Sequence, residues 1–156
     1  MNRRGEYEIS TDPRRLDLAI IHGYLARSYW AQAVPRQVVA EAMLNSLCFG
    51  LYHGPQQVGF ARVVTDRATF AYLADVFVLE DHRGQGLGKW LIECVVGHAD
   101  LQGLRRLMLA TRDAHGLYRH FGFTPLAHPE RLMEIVRPDI YQHAAGAHAD
   151  DSPARS

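Results

Sequence analysis

Residues 80–90, "EDHRGQGLGKW", place Gly84, Gly86 and Gly88 at every second position between Arg83 and Lys89. Glycine gives up more backbone freedom on folding than any other residue, so such a run needs a reason. Either the turn is sterically demanding, or something large and anionic comes close to the main chain. The flanks say where the turn sits. Upstream, "FAYLADVFVLE" (70–80) is a strand-like run. Downstream, "GLGKWLIECVVGHADLQG" (86–103) carries Leu87, Trp90, Leu91, Cys94, Val95 and His98 at helical spacing and closes at Gly103. The glycines therefore fall where a strand hands over to a helix.

Further out, the pattern alternates. "EYEIS" (6–10) reads as a strand, and "TDPRRLDLAIIHGYLARS" (11–28) as a helix capped by Thr11 or Asp12 with Pro13 in its first turn. Pro35 opens a second helix. "LCFGLYH" (47–53), "VGFARVVTD" (58–66) and the 70–80 run are joined by short turn-rich links and predict an antiparallel meander. After the glycine helix come a buried strand "RRLMLAT" (105–111), a short helix "AHGLYRHFG" (114–122), and two last strands, "FTPLA" (123–127) and "RLMEIVR" (131–137). The order β-α-α-β-β-β-α-β-α-β-β predicts an α/β fold with helices on both faces of a mixed, mostly antiparallel sheet. One domain over 6–140 is expected. The stretch 142–156 lacks periodicity and large apolar groups, and predicts a disordered tail.

Bulk composition narrows the class. With 156 residues, 47% of them hydrophobic, the chain is long enough for one real core. Seventeen basic residues balance seventeen acidic ones, so no global field argues for nucleic acid or an anionic membrane. Cys48 and Cys94 read as separate small hydrophobes, not a disulfide frame. No secretory signal or membrane-length apolar run is visible, and a cytoplasmic protein is expected. Nine histidines show no spacing that would suggest a metal, and none is expected.

Two phosphate-binding patterns fail on the glycine run. A Walker loop needs a longer gap between its glycines and a hydroxyl after the lysine, where this chain has Trp90. A dinucleotide fingerprint needs uneven spacing inside a parallel βαβ unit. What fits is Arg83-x-x-Gly86-x-Gly88 at a helix start, where unpartnered amides and the dipole favour a pyrophosphate. A plain glycine turn with a charged rim fits the short pattern as well.

The glycine run and two other segments together resemble the GNAT family of N-acetyltransferases, as a small single-domain member of the bacterial type. "LADVFVLEDHRGQGLG" (73–88) resembles that family's fourth strand and acyl-CoA pyrophosphate loop. "ATRDAHGLYRHFGF" (110–123) resembles its later segment through Ala114, Tyr118, Gly122 and Phe123. Thr111 stands where the family often has an asparagine, so no contact is carried over there. The resemblance covers about Glu6 to Arg137 and implies a sheet splayed between the fourth and fifth strands. It implies acetyl-CoA bound by the backbone of Val76, Phe77 and Val78 and by the loop Arg83, Gly84, Gln85, Gly86, Leu87, Gly88 and Lys89, with no metal.

The resemblance makes Tyr118 the general acid. A phenol of pKa about 10 is protonated at neutral pH and can donate to a thiolate whose thiol has pKa about 8.5. Read without it, Tyr118 is a core tyrosine beside Leu117 and Phe121. Asp75 is the candidate base, or a solvated strand residue; His115 is a second candidate. For an acceptor, "ARSYWAQ" (26–32) offers Ser28, Tyr29 and Trp30, and the strands offer Arg62, Asp66, Phe70 and Tyr72. An aromatic wall would suit a cationic amine, and Arg62 a carboxylate; packing alone also accounts for such aromatics. The activity implied is acetyl transfer to a small primary amine in a ternary complex. The rivals are a protein or peptide acceptor, a non-catalytic acyl-CoA-sensing module on the same fold, and a nucleotide module. A homodimer through the terminal strands or helices is also expected.

Overall fold

The computed structural model describes residues 2–142. Its elements are β1 (Asn2–Arg4), β2 (Tyr7–Ser10), α1 (Leu18–Leu25), α2 (Arg36–Leu44), β3 (Leu47–His53), β4 (Gln56–Thr65), β5 (Phe70–Val78), α3 (Leu87–Val96), β6 (Arg106–Leu109) and α4 (His115–Arg119). The strands form one sheet in chain order. Neighbours run antiparallel from β1 to β5, and β6 joins β5 in parallel. The parallel step needs a crossover, and α3 supplies it.

Strand alternation splits the core into two layers. Phe49, Leu51, Val58, Val63 and Leu73 lie with Leu87, Trp90, Leu91 and Val95 of α3 on one face, where Tyr118 of α4 joins them. Cys48, Phe60 and Phe77 meet Ile21 and Leu25 of α1 and Val39 of α2 on the other. Helices therefore cover both faces, as the alternating pattern predicts.

Two features of the sheet position the site. The β5–β6 ladder runs from Phe70–Arg106 to Leu73–Leu109 and stops there. Ala74–Val78 consequently continue along β4 with no strand of the described residues on their other side, so the sheet parts between β5 and β6. In the same stretch, Phe60 pairs with Phe77 and Arg62 with Ala74, which sets Asp75 and Val76 against the single residue Ala61. This is a β-bulge, and Asp75 takes the left-handed conformation at its centre (φ 55°). Aspartate is among the few residues that enter that region at modest cost.

The expected elements need three corrections. The N-terminus forms a hairpin, β1–β2, one strand more than the alternation suggested. Asp12 caps only a 3-10 turn at Pro13–Arg15, and α1 starts later, where the Asp17 side chain accepts from the Ile20 amide. The two expected last strands, "FTPLA" and "RLMEIVR", join no ladder. Strand character requires a partner backbone; Pro125 lacks a donor, and residues 132–136 have no neighbour to pair with among the described residues. Of the expected tail, residues 143–156 lie outside the described residues.

Candidate active site

A cavity of about 630 Å3 opens where β5 and β6 part. Its walls come from both layers: Leu25, Val39 and Phe60 from one, Tyr118 from the other, with Ala74, Asp75 and Val76 of the bulge between them. A cavity can draw on both faces only because the sheet is open at this point.

Two strands, one loop and one helix aim polar groups into it. Arg62 on β4 donates from Nε to Oδ2 of Asp75 at 2.8 Å and from Nη1 to the Ser46 hydroxyl at 3.1 Å. Trp30, in the loop after α1, donates its indole N–H to Oδ1 of Asp75 at 2.8 Å. The charges of Arg62 and Asp75 thus cancel inside the cavity. Tyr118 is buried at the opposite wall, its ring edge-on to Phe123 at 5.7 Å between centroids. Its hydroxyl makes no hydrogen bond among the described residues. Burial, and next the neighbouring Tyr29, push its pKa above the ordinary tyrosine value. It is therefore a protonated donor throughout the neutral range.

The glycine run forms the turn into α3. Gly84 (φ 83°) and Gly86 (φ 78°) adopt conformations that side chains resist, and a Cβ at either would meet nothing within 4 Å. No neighbouring atom demands glycine there; the left-handed conformation does. Gly86 caps α3 without a side-chain bond, and the first intrahelical bond is Trp90 N–H to the Gly86 carbonyl, at 3.0 Å. The amides of Leu87, Gly88 and Lys89 precede it and point free of the helix ladder. Arg83 donates to the Val78 carbonyl at 2.8 Å and to the Tyr24 hydroxyl at 2.9 Å, tying the end of β5 to α1. Gln85 donates to the Tyr7 hydroxyl and the His82 carbonyl, and Lys89 is exposed. Leu87 is buried, so only its backbone faces the turn. Phe77 is buried against Tyr24, the rings stacked at 4.0 Å.

Sequence matches explain the arrangement. Residues 44–125 match the family described as "Acetyltransferase (GNAT) domain". A curated protein of Gibberella zeae, named "Putative acetyltransferase FG08082", is 37% identical over 74% of this chain and 77% of its own length. The chain belongs to the GNAT acetyltransferase family. A solved GNAT structure from Xanthomonas campestris pv. campestris, described as a "putative acetyltransferase", is 51% identical, covers 86% of this chain and 96% of its own, and superposes with a TM-score of 0.85. A structure from Clostridium acetobutylicum, described as a "predicted acetyltransferase with acetyl-CoA", shares the fold at 12% identity and TM-score 0.58, over 83% of this chain and 94% of its own.

Within this GNAT domain, Tyr29, Trp30, Arg62, Tyr72, Asp75, Val76 and Tyr118 line one cavity. Ser28 does not; its buried hydroxyl donates to the Leu25 carbonyl and accepts from the Ala31 amide, shaping the turn after α1. Asp66 and Phe70 also lie off it. The Asp66 carboxylate accepts from the Thr69 hydroxyl and from the Thr69, Ala68 and Phe70 amides, which holds its pKa well below the usual carboxylate range. His115 is exposed at the start of α4, outside the cavity lining. Thr111 accepts from the Ala114 amide and so shapes the approach to α4. Sequence reasoning missed Arg112 and Asp113, which line the cavity from the β6–α4 loop; the Arg112 guanidinium sits 3.7 Å above the Tyr29 ring. Their signal was position, since loops beyond the C-terminal ends of parallel strands carry sites in α/β sheets. Among the described residues, no group of three His, Cys, Asp or Glu side chains could hold a metal ion. No described helix is long and apolar enough to cross a membrane.

Proposed function

We propose that this acetyltransferase moves an acetyl group from acetyl-CoA to a small primary amine, both held together in the cavity for direct attack. The observation that carries the reading is that Tyr118 and the unpaired edge of β5 at the bulge line the same space.

The residues present fit such a donor. Open glycine positions and the free amides of Leu87, Gly88 and Lys89 suit a pyrophosphate. Ala74–Val78 present a free strand edge that can hold an amide-bearing arm as an added strand. The Val78 carbonyl is already taken by Arg83, which narrows that edge to the residues before it. When bound, acetyl-CoA supplies a thioester carbonyl open to an amine and a sulfur that leaves as a thiolate.

Tyr118 holds the proton that the sulfur takes as the C–S bond breaks and the C–N bond forms. A backbone amide at the bulge steadies the charge that gathers on the carbonyl oxygen. Both oxygens of Asp75 are engaged, one by Arg62 and one by Trp30. Its part in this reading is to hold those two side chains; the proton lost by the amine goes to water at the cavity mouth, and water returns a proton to Tyr118 before the next turnover.

The acceptor follows from the walls. Leu25, Val34, Val38, Val39 and Met43 form an apolar side, with Tyr29, Trp30 and Tyr72 as aromatics. Arg62 is neutralised by Asp75 and has Nε and Nη1 already engaged, which weakens it as a grip for a carboxylate. An amine with an apolar or aromatic body fits better than an amino acid. The test is thiol release from acetyl-CoA across aromatic and alkyl amines, amino acids, polyamines and short peptides. Turnover with apolar amines, lost in Tyr118→Phe, supports the reading. Cofactor binding with no turnover on any amine would favour an acyl-CoA sensor on the same fold.

A further inference from the structure

One side chain of the cavity wall lies beyond the domain expected over residues 6–140. Tyr141 lines the cavity, half-buried, and packs against the cluster that holds Leu25, Val34 and Val39. These are residues of the apolar side, where the acceptor's body is placed in the acetyl-transfer reading.

Tyr141 reaches that wall by a long exposed route. Residues 124–139 are all exposed, and Ile140 and Tyr141 are the first half-buried side chains after them. Leu132 leaves the last 3-10 turn in extended backbone (φ −99°, ψ 139°). Among the described residues, the next backbone hydrogen bond is from the Ile140 N–H to the Arg137 carbonyl, at 3.2 Å. Ordering so exposed a chain costs conformational entropy that little burial along the way offsets. The chain regains contact where Tyr141 docks, and what docks is a large ring in the wall of the site.

We propose that Tyr141 sets the size of the amine that the cavity accepts, by filling part of its apolar wall. The inference rests on the acetyl-transfer reading and adds a specificity residue to it. An apolar amine gains about fourfold in affinity for each methylene it buries, from the roughly 0.8 kcal/mol of a buried CH2. A ring standing in the wall ends that series, because a bulkier body then overpacks against it. Tyr141 stands at the margin of its cluster, so replacing it alters the wall while the fully buried residues keep their contacts.

The test measures kcat/KM with acetyl-CoA over graded primary amines, from propylamine to decylamine and from benzylamine to naphthylmethylamine. The full chain is compared with Tyr141→Ala and Tyr141→Trp. The result expected is an optimum that moves to bulkier amines in Tyr141→Ala, with about fourfold gained for each methylene that enters the vacated space. In Tyr141→Trp it moves to slimmer ones. Both shifts should lie in the acceptor KM, with acetyl-CoA affinity by titration unmoved. A ring that only anchors the C-terminal segment predicts something else: a parallel loss on every amine, in the same direction for both variants. That outcome, or one optimum shared by all three proteins, would overturn the inference and leave the acetyl-transfer reading standing. If Tyr141→Ala fails to fold, Tyr141→Trp decides alone. A wild type that turns over no amine would overturn both.

Discussion

Arg62 and Asp75 face each other across β4 and β5 at the bulge, Nε to Oδ2 at 2.8 Å, with side chains only 20% and 11% exposed. The bulge is what turns Asp75 towards Arg62, and Trp30 closes the other carboxylate oxygen. The pair thus ties the loop after α1 to the open edge of the sheet.

Removing one partner should cost more than removing both. Asp75→Ala leaves the Arg62 charge half-buried and should lose roughly 3 kcal/mol, the low end for breaking a buried pair. Adding Arg62→Met should restore part of that loss. A double-mutant cycle by denaturant unfolding reads the coupling; additive losses would mean that the pair contributes nothing.

Tyr118→Phe removes a hydroxyl that has no hydrogen-bond partner among the described residues. Stability and acetyl-CoA affinity should hardly change, while turnover should fall by about 10²–10⁴-fold, the usual range for a lost general acid. Steady-state kinetics and a separate binding titration check the split. Equal loss of affinity and turnover would assign Tyr118 to binding instead.

Tyr52 carries the one buried side-chain oxygen without a partner among the described residues. Burial pushes its phenol up to about 12, against about 10 when unfolded. A folded pKa raised in this way leaves stability intact below about pH 10 and erodes it as pH rises towards 12. Tyr52→Phe should raise stability by about 1 kcal/mol at neutral pH, by removing the unsatisfied hydroxyl. It should also lessen the alkaline loss; the remainder belongs to Cys48, whose thiol burial raises to about 11, and to Tyr118 and Cys94, both also raised by burial. Thermal unfolding from neutral pH to pH 12 is the measurement.

Two glycines should fail in different ways. A Cβ at Gly59 would sit 2.8 Å from Leu51 and 3.0 Å from the Phe77 carbonyl, so Gly59→Ala should destabilise by about 1–3 kcal/mol through overpacking. Gly84→Ala meets no atom but strains a left-handed residue by about 1–2 kcal/mol. The loop can relieve that strain by changing shape, so the loss should appear mainly in acetyl-CoA affinity. Thermal shift with and without acetyl-CoA separates the two.

Much of the site was legible because its signals are local. Glycines need left-handed turns, α3 shows its stripe, and the meander strands alternate; each is a short-range property of a few residues. Tyr118 and Arg83 were marked by motif spacing. The partners of Asp75 were not legible, since a bulge shifts register by one residue and no alternation pattern records it. Ser28 looked like a wall residue by proximity to Tyr29 and Trp30, yet its hydroxyl closes the turn that presents them.

By itself the sequence determined the order of elements from α1 to α4, the glycine turn into α3 and the two-sided core, because hydrophobic period and turn chemistry act over a few residues. Tertiary structure alone decided where β5 and β6 part, which charges cancel in the cavity, and that "RLMEIVR" joins no ladder among the described residues. Strand pairing and charge pairing depend on what arrives from distant parts of the chain, and composition does not encode the arrival.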